Sequence, residues 1–157
     1  MYNPENRRSD RFLVERFCQW VPDWNRKQLS LDALGNLCDE CGITLEELEL
    51  DADGLALWED AEPYIYINSQ LKYSERVITG FHELTHILYH TPRPEIFRRQ
   101  SNCCWNFSKQ DRQAEIVGLV AWMPEAATRG LSVESLMLKF DVRRESAEFR
   151  ASLNLWQ

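Results

Sequence analysis

The 157-residue chain has only three histidines, at positions 82, 86 and 90. The first two bracket the string His82-Glu83-Leu84-Thr85-His86. On a helix, residues four apart differ by about 40° in direction and about 6 Å along the axis, so both imidazoles can grip one cation from the same side. Zinc suits such a pair, because a catalytic zinc site takes three protein ligands and keeps one position open for water. Glu83 is turned by about 100° from His82, which lets it approach that water without ligating the metal. His90 lies about 12 Å along the axis from His82, too far to share an ion with it. Its candidate places are behind a ligand, against substrate, or at a helix end facing the C-terminal dipole.

A third ligand must come from elsewhere, and no histidine is left. Asp111 and Glu115 are again four apart and share one helix face, with Gln113 pointing away. Either carboxylate could complete the set. Alternatively, Asp111 caps its helix and Glu115 is a solvated surface charge.

The elements that must hold these residues can be read from the spacing of apolar positions. Residues 9–20 are expected to be helical, with Phe12, Leu13, Phe17 and Trp20 available for one face. Ser30 is an N-cap for a helix carrying Ala33, Leu34, Leu37, Cys38 and Cys41, which Gly42 can end. Leu55, Leu57 and Tyr64-Ile65-Tyr66-Ile67 alternate as in short strands, with acidic turns between them. From Ser74 the stripe Val77, Phe81, Leu84 and Leu88 marks a helix that Pro92 stops, one face packing and the other doing chemistry. Ser108 and Asp111 resemble a capping box for a helix ending at Pro124. Two short helices follow, near Ser132–Lys139 and Arg143–Leu153. Helices on a small sheet make an α+β domain.

Composition limits the alternatives. A formal charge of −7 is wrong for a protein whose main partner is a phosphate backbone, but suits an acidic enzyme acting on a basic protein. No apolar stretch approaches the length of a membrane span, and Met1-Tyr2-Asn3-Pro4-Glu5 has no apolar secretory character. The expected compartment is the cytoplasm, with the five cysteines reduced. Cys38 and Cys41 fit a buried stripe better than a second zinc shared with Cys103-Cys104. The loop Arg93–Phe107 is expected to border the cleft. The two C-terminal helices, with Arg143, Arg144 and Arg150, can be read as a helix-turn-helix, but Glu134, Asp141, Glu145 and Glu148 interleave the arginines, so closing the core is the expected job and direct nucleic-acid binding is not.

From about Leu45 onward the chain resembles the ImmA/IrrE-type metallopeptidases. Tyr64-Ile65-Tyr66-Ile67-Asn68 is similar to the strand and Asn before that family's active-site helix, and Phe81 through His90 to its metal motif with the trailing His. Asp111-Arg112-Gln113-Ala114-Glu115 through Met123-Pro124 resembles its third-ligand helix, and Leu131 to Leu153 its closing helix pair. Two departures stand out. Thr85 replaces the usual Gly, and the family's Glu ligand falls on Asp111, one methylene shorter, so that its helix must sit closer or Glu115 must take over.

The resemblance implies a zincin-like single domain over residues 1–157, with a mostly antiparallel sheet and the pair 131–157 closing the core. It implies a hydrolase with Zn²⁺ on His82, His86 and Asp111 (or Glu115), and with Glu83 as catalytic base. Tyr73, Tyr89 and His90 are candidates for steadying the oxyanion or substrate. The implied substrate is a helix-turn-helix repressor, often of a mobile element or stress regulon, cut to switch genes on. A strand such as Tyr64–Ile67, if at the sheet edge, would hold the target peptide. The alternative expectation is a non-catalytic metal-binding or toxin–antitoxin regulatory module with the same fold.

Overall fold

In the computed structural model, which describes residues 4–90, 97–99 and 109–153, local signals place most elements where the spacing predicts them. Helix α1 spans Pro4–Trp20 and buries Phe17, whereas Phe12 and Trp20 of the expected stripe lie exposed. In α2 (Leu31–Cys41) the Ser30 hydroxyl accepts from the Ala33 amide at 3.1 Å, and Gly42 ends the helix at φ 68°, a left-handed conformation that glycine adopts at little cost. Leu34 and Cys38 face inward, and burial pushes the Cys38 thiol up to about 12, away from the thiolate that a structural zinc requires. The described residues include neither Cys103 and Cys104 nor the Pro92 and Ser108 signals.

Strands β1 (Thr44–Leu48), β2 (Gly54–Glu59), β3 (Glu62–Asn68) and β4 (Phe97–Arg99) form a mixed sheet in the order β1-β3-β2-β4. β1 runs parallel to β3, while β2 is antiparallel to both β3 and β4. The β2–β3 hairpin closes through Asp60 and Ala61, at φ 50° and 64°, a primed turn whose twist matches the strands. β3 therefore lies inside the sheet. The expectation that Tyr64–Ile67 could add a peptide strand fails, because both its sides are already hydrogen-bonded; β1 and β4 are the edges among the described residues. β4 also falls inside the stretch expected to be only loop.

Helix α3 (Tyr73–Tyr89) packs against the sheet and α2 on one side and α4 (Lys109–Trp122) on the other. Val77, Ile78, Phe81 and Leu84 are fully buried, each contributing about 1.5–3 kcal/mol on burial. Burial is not confined to that stripe. Every residue from Ser74 to Ile87 except Arg76 is buried, so the face expected to do chemistry is an interior face. Two glycines allow such tight packing. A Cβ on Gly80 would come within 2.2 Å of Leu34, and one on Gly118 within 2.3 Å of the Ile78 carbonyl oxygen. α4 thus meets α3 backbone against backbone at Gly118 and Ile78.

Pro124 ends that run and caps a one-turn helix, α5 (Glu125–Thr128), which the spacing does not predict. Helices α6 (Val133–Phe140) and α7 (Arg144–Ser152) follow, and their Leu136, Phe140, Val142 and Ala147 pack with Ile78, Leu119 and Met123 in a second cluster behind the α3–α4 pair. The three arginines there are engaged within the chain: Arg143 with Asp53 and Glu75, Arg144 with Glu134 and Glu148, and Arg150 with Glu125. No described helix is long and apolar enough to cross a membrane.

Candidate metal centre

The register of α3 against α4 assembles the site. Ile78 meets Gly118, His82 meets Glu115, and His86 meets Asp111, so each turn of one helix faces a turn of its antiparallel neighbour. Imidazoles and carboxylates buried in such a seam are costly unless they are paired. They are paired here, and the pairing gives each ring nitrogen a distinct place.

His82 Nδ1 lies 2.7 Å from Glu115 Oε2, and His86 Nδ1 lies 2.7 Å from His90 Nδ1. The other nitrogens converge: His82 Nε2 and His86 Nε2 are 3.2 Å apart, and Asp111 Oδ1 is 3.3 Å from His86 Nε2. His82, His86 and Asp111 can each offer one ligand atom, all within 4.8 Å of one another. Donors held about 2.0–2.2 Å from a tetrahedral zinc stand roughly 3.3–3.5 Å from each other. Two imidazole nitrogens and a carboxylate oxygen at this spacing fit such an ion. With Glu115 accepting at Nδ1, the His82 Nε2 lone pair is directed into the same space.

The two downstream carboxylates thus occupy different places. The short Asp111 side chain reaches His86 because Gly118 lets α4 come close, while Glu115 sits behind His82. Asp111 keeps about a third of its surface (36%) open, whereas His82, His86 and Glu115 are nearly sealed, so solvent reaches the group past Asp111. Glu83 is fully buried, and the start of β2 lies over it: a Cβ on Gly54 would come within 3.4 Å of Glu83 Cγ and 2.5 Å of Thr79. Thr85, in place of glycine, turns its hydroxyl back to donate to the Phe81 carbonyl at 2.8 Å and stays out of the site.

His90 is buried behind His86, and desolvation together with the neighbouring His86 lowers it to about 4, so it is neutral. Its Nε2 lies 3.3 Å from Gln113 Oε1. The expectation that Gln113 points away therefore fails. Helical angles fix where a Cβ leaves the axis, not where a three-bond side chain ends, and His90 has already left the helix at φ −105°. The place of Gln113 between Asp111 and Glu115, on the helix that faces the histidines, was the available signal.

The two tyrosines stand elsewhere. The Tyr73 hydroxyl accepts from the Leu31 amide at the opening turn of α3, and its ring meets Trp122. Tyr89 packs on Phe17 with the Arg16 guanidinium over its ring, and burial raises its phenol.

No curated protein matches the chain. Residues 38–152, most of its length and all of the histidine and carboxylate group, match the IrrE N-terminal-like domain of a peptidase family. With a buried His-Glu-x-x-His helix facing the helix that carries Asp111 and Glu115, and a family match that spans both, the chain belongs to the IrrE N-terminal-like peptidase family.

Proposed function

We propose that the protein is a zinc-dependent endopeptidase with His82, His86 and Asp111 as ligands and Glu83 as general base. The convergence of two Nε2 atoms and Asp111 Oδ1, with each Nδ1 occupied from behind, supports the reading most directly. Zinc there would polarise the scissile carbonyl and make water acidic enough to lose a proton near neutral pH. Glu83 accepts that proton and later delivers it to the leaving amide nitrogen. Its burial against Gly54 limits where the carboxylate can swing, which favours transfer along one short path. Asp111, on the open side, borders the approach of substrate. A target peptide would add to the edge of β4, which pairs with β2 at Gly54 beside Glu83.

The substrate class follows from the resemblance: a helix-turn-helix repressor in the cytoplasm. The chain's charge of −7 suits a basic, DNA-binding target. Glu83→Gln should retain about one zinc per chain and lose cleavage by about 10²–10⁴-fold, measured as new N-termini released from a mixture of purified helix-turn-helix repressors. Cleavage by that variant at the wild-type rate would refute the mechanism. Zinc-loaded wild-type protein that cuts other proteins but none of the repressors would refute the substrate class.

A further inference from the structure

A neutral imidazole carries one N–H, so hydrogen bonds running from ring to ring have a direction. For His86 to present a bare Nε2 toward His82 and Asp111, its proton must sit on Nδ1. His90, 2.7 Å away through its own Nδ1, must then accept that proton's hydrogen bond. The proton of His90 is left on Nε2, where it needs an acceptor, and Gln113 Oε1 is 3.3 Å away. Run in the other direction, His90 donates to His86, and His86 carries its N–H on Nε2, aimed into the ligand position.

The His82 arm has no such choice, because it ends on the carboxylate of Glu115, which when ionised can only accept. An amide can accept or donate, so the direction of the His86 arm depends on which end the fold presents. We propose that Gln113 is a positioning residue: by turning its carbonyl oxygen to His90 it holds the His90–His86 pair in the order that turns the His86 Nε2 lone pair, rather than an N–H, to the metal position. The proposal rests on the metal-site reading above, and its readouts, the proton position on His90 and the zinc affinity, do not depend on activity.

Without metal, the 3.2 Å contact between the His82 and His86 Nε2 atoms itself needs a proton, so histidine tautomers are read in the zinc-loaded protein from long-range ¹⁵N–¹H correlation spectra, and zinc affinity from chelator competition. Wild-type protein should carry the His86 proton on Nδ1 and the His90 proton on Nε2. Gln113→Glu, which keeps an acceptor, should preserve that order and bind zinc at least as tightly. Gln113→Met, of similar volume but with no acceptor, should mix the His90 tautomers and weaken zinc about tenfold without shifting the urea midpoint appreciably. Gln113→Lys, a donor only, should move the His90 proton to Nδ1, against His86, and weaken zinc further. A Gln113→Met protein with wild-type tautomers and affinity overturns the proposal, as does a wild-type His90 protonated on Nδ1. Failure of wild-type protein to bind zinc overturns the metal reading instead, a result separate from the tautomer pattern.

Discussion

Two carboxylates one turn apart have separate places at the residue scale. Asp111 faces the gap between the imidazole Nε2 atoms, and Glu115 backs His82 at Nδ1. A group behind a ligand orients it and raises its basicity, and losing such a group typically costs about 10–100-fold in metal affinity. Glu115→Ala should therefore weaken zinc by about that factor. Asp111→Ala should weaken it more, because it removes a donor outright. Chelator competition on the two variants ranks them, and the opposite ranking would exchange the two roles.

The distance between α3 and α4 is the decisive quantity at the scale of elements. Gly118 sets it, since a methyl there would lie 2.3 Å from the Ile78 carbonyl oxygen, a backbone atom that cannot rotate away. Gly118→Ala should cost about 1–3 kcal/mol in urea unfolding. It should also weaken zinc binding, because the short Asp111 has no length in reserve as α4 moves out. Gly35 in α2 is the control, with nothing within 4 Å of an added Cβ and no left-handed backbone. Gly35→Ala should stabilise by about 1 kcal/mol through helix propensity and leave zinc affinity unchanged. A Gly118→Ala protein of wild-type stability and affinity would remove the close approach from the account of the site.

Across the whole molecule, charge is distributed unevenly. Between Lys27 and Lys72 the chain has eleven acidic residues and no Lys or Arg, so a carboxylate buried there must find its cation far away in sequence. Asp53, just before β2, finds Arg143 at 2.7 Å. The same guanidinium lies 3.1 Å from Glu75 in the first turn of α3, and Glu75 also accepts from the Arg143 amide and the Ser146 hydroxyl. One arginine thus joins sheet, central helix and C-terminal pair, which accounts for its absence from any basic DNA-reading face. Arg143→Met should take a shared cation from two buried carboxylates and cost about 2 kcal/mol. Because Asp53 precedes Gly54, the loss should also loosen the start of β2 over Glu83, seen as faster amide exchange at Gly54 and Leu55. Unchanged stability and exchange would show the network to be peripheral.

The sequence by itself determined that His82 and His86 share a helix face, that Ser30 and Gly42 bound α2, and that α and β elements mix. Each is a short-range consequence of backbone period or of a cap touching its own helix, so the neighbouring residues suffice to specify it. Tertiary structure decided which strands edge the sheet among the described residues, which imidazole nitrogen each carboxylate faces and where Gln113 ends. These depend on the spacing and register between elements far apart in the chain, set by contacts such as Gly118 against Ile78 and by strand pairing across β1-β3-β2-β4. The period of a single helix carries no information about how closely another will approach it.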